Sequence, residues 1–120
     1  MHDYRFSVLI IVVGVFTFVS TAHSHAIVLS ATPAPDEVLS GPDVQVKLRF
    51  NSRIDAKRSR LILVTPDGEQ RTLIISSETS SPDALSSQAK SLRGGSYVLR
   101  WQVLASDGHI TRGEVPFRVR

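Results

Sequence analysis

The sequence predicts an all-β fold, either a sandwich or a barrel. Two observations carry that expectation. Apolar and polar residues alternate at period two in several stretches, the pattern of a half-buried strand. These stretches are short and recur at intervals of roughly 8–12 residues, with turn residues between them.

The chain of 120 residues opens on a segment of a different kind. Met1-His-Asp-Tyr-Arg-Phe6 is followed by an apolar run of 13 residues, Ser7 to Val19, and then by small and polar residues up to Ser24. This is the layout of a secretory signal peptide. The run is shorter than the ~17 residues a membrane span needs, and no basic stop follows it. Residues 1–24 are therefore expected to be removed, leaving one domain over residues 25–120. Two cuts fit the small-residue rule. Ala22-His23-Ser24 would free His25, and Ser20-Thr21-Ala22 would free His23. Sequence alone leaves both open.

The elements of the domain follow in order. His25 to Ala31 is a short apolar segment that ends at Thr32-Pro-Ala-Pro35. Val44, Val46, Leu48 and Phe50 alternate with charged and polar residues, which predicts a strand. Arg60–Thr65 and Arg71–Ser76 flank Pro66-Asp67-Gly68, a hairpin signal. Ser76 to Lys90 is rich in serine and has no period, so a long surface connection with at most a short helical turn is expected. Tyr97, Leu99, Trp101 and Val103 alternate after Gly94-Gly95. Val115, Phe117 and Val119 close the chain, and Pro116 suggests an edge position there. The aromatic residues fall at core positions of these strands.

Composition excludes some chemistry. The chain has no cysteine, so it has neither disulfide nor thiolate. Its net charge is +3 with a pI near 9.8. Without residues 1–24 it keeps 13 basic and 10 acidic residues, still +3. The only basic cluster is Lys57-Arg-Ser-Arg60, which reads as a solvated loop face. No aromatic residues interleave with it, so nucleic acid is not the expected partner.

Asp107-Gly108-His109 carries the functional signal. Taken alone, Asp-Gly between apolar strands is a hairpin turn with an exposed histidine. In an extended segment, however, residues i and i+2 project to one face. Asp107 and His109 could then offer an oxygen and a nitrogen side by side. If cleavage frees His25, its α-amine and imidazole can chelate one cation. The combined set is three nitrogens and one carboxylate oxygen. Cu(II) suits such a tetragonal N,O site, and Zn(II) is the main competitor. Cu(I) is a poor match, because residues 25–120 contain neither methionine nor cysteine.

Essentially all of residues 25–120 resembles the CopC family of bacterial copper-resistance proteins. The resemblance rests on His25-Ala-Ile-Val-Leu-Ser-Ala-Thr-Pro-Ala-Pro-Asp36, on Val46-Lys-Leu-Arg-Phe50, and on Gly95 to Val119 with its Ser106-Asp-Gly-His109. It implies a periplasmic immunoglobulin-like or cupredoxin-like Greek-key fold of about seven strands. It also implies one Cu(II) per chain, held by the His25 amine and imidazole, Asp107 and His109. The implied role is carrier or buffer in copper homeostasis, with an inner-membrane CopD-type transport protein as partner. Two departures stand out. The Met-rich Cu(I) loop of some members is missing, and Ser52 replaces an acid found in others.

Three rivals differ from this reading. A histidine-brace copper oxygenase would need an open coordination position and a flat aromatic face. A metal-free structural module would ignore copper. A chain starting at His23 would bind copper through its amine, two backbone amides and the His25 ring, without Asp107 or His109. Ser106 and Thr111 are expected to cap the turn. No enzymatic activity is expected.

Overall fold

The computed structural model describes residues 26–76 and 81–120. The expected leader and His25 lie outside these residues. The described chain forms eight strands: β1 (Val28–Thr32), β2 (Glu37–Leu39), β3 (Val44–Phe50), β4 (Ile54–Val64), β5 (Gln70–Leu73), β6 (Ala84–Ala89), β7 (Gly95–Ala105) and β8 (Ile110–Val119). They build two sheets, ordered β1-β3-β6 and β2-β8-β7-β4-β5. The all-β expectation holds, with eight strands rather than about seven.

Alternation explains the core. In β3, Val44, Val46, Leu48 and Phe50 are buried while Gln45, Lys47 and Arg49 are exposed. In β7, Tyr97, Leu99, Trp101, Val103 and Ala105 point inward from the other sheet. Phe50 meets Trp101 edge to face, with ring centroids 5.4 Å apart. Tyr97 stacks on Phe117 at 5.5 Å. Each large buried side chain contributes about 1.5–3 kcal/mol by leaving water. The aromatic residues are core packing, as their positions predicted.

Trp101 sets a further constraint. Its partner in the β7–β8 ladder is Gly113. A Cβ added at Gly113 would lie 2.2 Å from the indole Cζ2. The indole thus packs onto the neighbouring strand's bare backbone.

Three expectations need correction. The serine-rich stretch is not all connection, because Ala84–Ala89 forms β6 along β3. Ala84, Leu85, Ser87 and Ala89 are buried, and Ser87 Oγ donates to Ile74 O at 2.6 Å. Pairing and small buried side chains make this strand, rather than β-branched residues. Second, Lys57–Arg60 is not a loop but part of β4, where the register against β7 shifts between Asp55 and Arg60. Third, β8 is not an edge, since β2 pairs with its end from Phe117 onward. Pro116 is tolerated because its carbonyl, and so its nitrogen, faces away from β7. That carbonyl accepts from Asp36 N at 2.7 Å.

The β4–β5 hairpin shows local chemistry at work. Thr65 N donates to Glu69 O at 2.9 Å, and Gly68 adopts φ 83°. The Thr65 hydroxyl donates to the Asp67 carboxylate and accepts from Glu69 N. That hydroxyl contact, first of all, holds Asp67 below the usual carboxylate range.

Two outcomes follow from these contacts. Gly113→Ala should cost about 1–3 kcal/mol, because the indole must move off its neighbour; thermal melting and a shifted tryptophan emission check this. A carboxylate depressed by folding stabilises the fold above its unfolded pKa, and that contribution fades as pH falls through the folded value. Thr65→Val should therefore be less stable than the parent at neutral pH, with the gap narrowing in acid below about pH 4. Denaturant titrations at both pH values measure the gap.

Candidate metal centre

β7 ends at Ala105 and β8 starts at Ile110, and the five-residue connection between their pairing residues is tightly closed. Ala105 N donates to His109 O at 2.9 Å, and Gly108 N donates to Ala105 O at 2.9 Å. Gly108 has φ 87°, a conformation that favours glycine. Asp107 folds back over this turn. Its Oδ1 accepts from His109 N at 3.0 Å, and its Oδ2 lies 3.1 Å from His109 Nδ1. The structure thus brings Asp107 and His109 together as expected. The means differ, because the segment is a turn and not extended. An aspartate can bond the backbone N–H two residues on, and that local bond selects the turn.

The same end of the sandwich holds the start of the described chain. Ala26 is buried in the core. Ile27 N donates to Asn51 Oδ1 at 2.8 Å, and Asn51 N donates back to Ile27 O at 3.0 Å. Two residues further on, Arg53 O accepts from Ser106 N at 3.1 Å, and Ile54 pairs with Ala105. The link Asn51–Arg53 between β3 and β4 therefore holds residues 26–27 on one side and the Asp107 turn on the other. His25, the remaining expected ligand, lies outside the described residues, one peptide bond before Ala26.

Two hydroxyls sit on these same segments. Ser52 Oγ and Thr111 Oγ1 are buried and have no hydrogen-bond partner among the described residues. The capping role expected of the Thr111 hydroxyl is thus not fulfilled. Ser106 meets the link through its backbone N–H. Asn51 is the residue that sequence reading passes over, since the eye goes to Ser52 and the missing acid. The available signal is an asparagine directly after a strand, where its amide can stand in for a backbone partner.

The donor pair fits a small cation. Metal bonds of about 2.0–2.2 Å at 90–109° give a ligand edge of roughly 2.8–3.6 Å. The 3.1 Å separation of Asp107 Oδ2 and His109 Nδ1 falls within it. Among the described residues no group of three or more His, Cys, Asp or Glu gathers at one point. A metal site built on Asp107 and His109 would need further donors from outside the described residues.

Asn51→Ala should loosen the chain start. The lost bond costs about 0.5–1.5 kcal/mol, and amide exchange at Ile27 should accelerate while Leu99 stays protected. Hydrogen exchange read residue by residue checks this.

Comparison with known proteins identifies the family. The family model described as the CopC domain matches residues 28–120. The crystal structure of CopC from Methylosinus trichosporium OB3b is similar at TM-score 0.70 and 29% identity, covering 79% of this chain and 93% of that one. PcoC, a methionine-rich copper-resistance protein from Escherichia coli, is similar at TM-score 0.61 and 20% identity, covering 80% of this chain and 99% of that one. Fibronectin(III)-like modules of Clostridium thermocellum CbhA share the fold at TM-score 0.50 and 19% identity, over 80% of this chain and 46% of theirs. No curated relative matches at the sequence level. The two sheets form an immunoglobulin-like fold, and with its family model spanning nearly every described residue, the chain belongs to the CopC family.

Proposed function

We propose that this chain is a periplasmic Cu(II)-binding protein, a carrier or buffer in copper resistance and homeostasis. Residues 1–24 direct export and are removed. One Cu(II) is bound by the His25 amine and imidazole, Asp107 and His109. The observation that carries this reading is the Asp107–His109 contact of 3.1 Å at the end of the sandwich where Ala26 and Ile27 are pinned. Family membership supports it.

Each ligand has a distinct role. The amine and ring of His25 form the chelate, and His109 adds the third nitrogen. Asp107 offsets part of the dication's charge. Its fold-back onto the His109 backbone presets the turn, so little ordering remains for the metal to do. Nitrogen ligands bind a metal in their deprotonated form, so affinity falls as pH drops. PcoC is methionine-rich, whereas residues 25–120 here contain no methionine, which favours Cu(II) over Cu(I). Asp107 as a fourth ligand would occupy the position that an oxygenase needs open, which favours a carrier over an oxygenase. The partner in transfer is an inner-membrane CopD-type protein.

The test is the N-terminal mass of the exported protein together with Cu(II) titration followed by electron paramagnetic resonance. A start at His25 with one tight type-2 copper and nitrogen couplings is expected. His109→Ala should remove one nitrogen and shift the visible absorption to lower energy. An unchanged spectrum in that variant would overturn the ligand set. A start at His23 would move copper to the tail, and tight zinc in preference to copper would change the cargo.

A further inference from the structure

The outer face of the five-stranded sheet carries a charge pattern unrelated to the metal ligands. Register places its side chains in rows across β4, β7 and β8. Next to the Asp107 turn, Leu104 pairs with Ile110 and with Asp55. Ile110 is one of the large exposed hydrophobics. The next row is Arg60, Gln102 and Arg112, and the row after it is Ile62, Arg100 and Glu114. Arg112 Nε donates to Gln102 Oε1 at 2.9 Å, and Arg100 pairs with Glu114 at 3.2 Å. Arg60 makes no ion pair among the described residues. These side chains border a trough of about 400 Å³.

The β4 bulge enlarges the basic face. Ser59 turns inward, where its hydroxyl donates to Asp55 O at 2.6 Å and accepts from Leu104 N at 3.4 Å. Arg58 is left exposed, 3.8 Å from Asp55. A bulge re-aims side chains in this manner. Arg58, Arg60, Arg100 and Arg112 thus stand with only Asp55 and Glu114 as acidic neighbours in these rows.

We propose that this face docks a partner protein through a carboxylate-bearing segment, placing the Asp107 turn at the margin of the contact. The basic residues of these rows are all arginines, whose planar forks take carboxylates in bidentate fashion. Arg60 and Arg112 stand on either side of Gln102, two strand spacings or about 10 Å apart. Discrete carboxylates presented at intervals match that spacing. A dense, uniform layer of lipid phosphates does not, because Glu114 lies among the arginines and the trough is recessed. The docking stands without copper, whereas its use in metal transfer rests on the copper reading above. Contact of this kind speeds encounter and weakens with salt.

The test uses the exported protein and a fluorescein-labelled peptide of alternating glutamate and threonine, read by anisotropy at low and physiological salt. Arg60→Glu with Arg112→Glu should weaken binding by about tenfold or more. Lys47→Glu with Lys90→Glu makes the same charge change away from this face and should weaken it less than about threefold. Arg60→Gln with Arg112→Gln should act in the same direction as the first pair, which covers a misfolded glutamate variant. The copper resonance of the Gln pair should be unchanged, so a failure here is distinct from a failure of the metal site. Absence of peptide binding, or an equal loss in the Lys47 and Lys90 pair, would overturn the proposal. Binding to phosphatidylglycerol vesicles in place of the peptide, lost in the arginine variants, would overturn it in favour of a membrane surface.

Discussion

The crossing from β3 to β4 is the constraint on which the rest of this molecule depends. Between Phe50 and Ile54 the chain passes from one sheet to the other, and a crossing leaves backbone groups without ladder partners. Here four such groups tie down other segments. Phe50 N and Ile54 N bond the carbonyls of Asp83 and Pro82 at 2.7 and 3.0 Å. Asn51 holds Ile27 through both its side chain and its N–H, and Arg53 holds Ser106. Each bond adds only about 0.5–1.5 kcal/mol to stability. Their larger effect is positional. A one-residue slip here would rotate Phe50 away from Trp101 and move the chain start away from the Asp107 turn.

How much could be read from the sequence follows from what each element relies on. β3 and β7 are visible because their burial alternates strictly and their inward residues are large. β6 escapes because serine and alanine fill its inward positions, and its strand character comes from pairing with β3. β2 escapes because three residues, Glu37 to Leu39, cannot display a period. At the site, Asp107 and His109 are visible from their types and spacing. The clamp at Asn51 is not, because its partner Ile27 is 24 positions away. The basic face is hidden for the same reason. Arg60, Arg100 and Arg112 are distant in sequence and become one row or its neighbour only through register.

The two sheets divide the labour. The three-stranded sheet fixes the beginning of the described chain through β1 and β3. The five-stranded sheet supplies the Asp107 turn and, on its outer face, the arginine rows. Phe50 and Trp101 join the two from the inside. Gly113 permits that join, and Gly113 lies between Arg112 and Glu114 of the outer face. Inner packing and outer charge are thus properties of the same few residues of β8.

β8 also acts as a ruler. From Ile110 it runs ten residues to Val119, and the next residue, Arg120, bonds Leu39 O through its N–H at 2.8 Å. At about 3.3 Å per residue, the last residue stands roughly 30 Å from the Asp107 turn. The two poles are rigidly connected and do not interfere. A tether or fluorophore joined at Arg120 would therefore leave the turn facing solution at a known distance. The same attachment made just before Ala26 would crowd the pole where that turn lies.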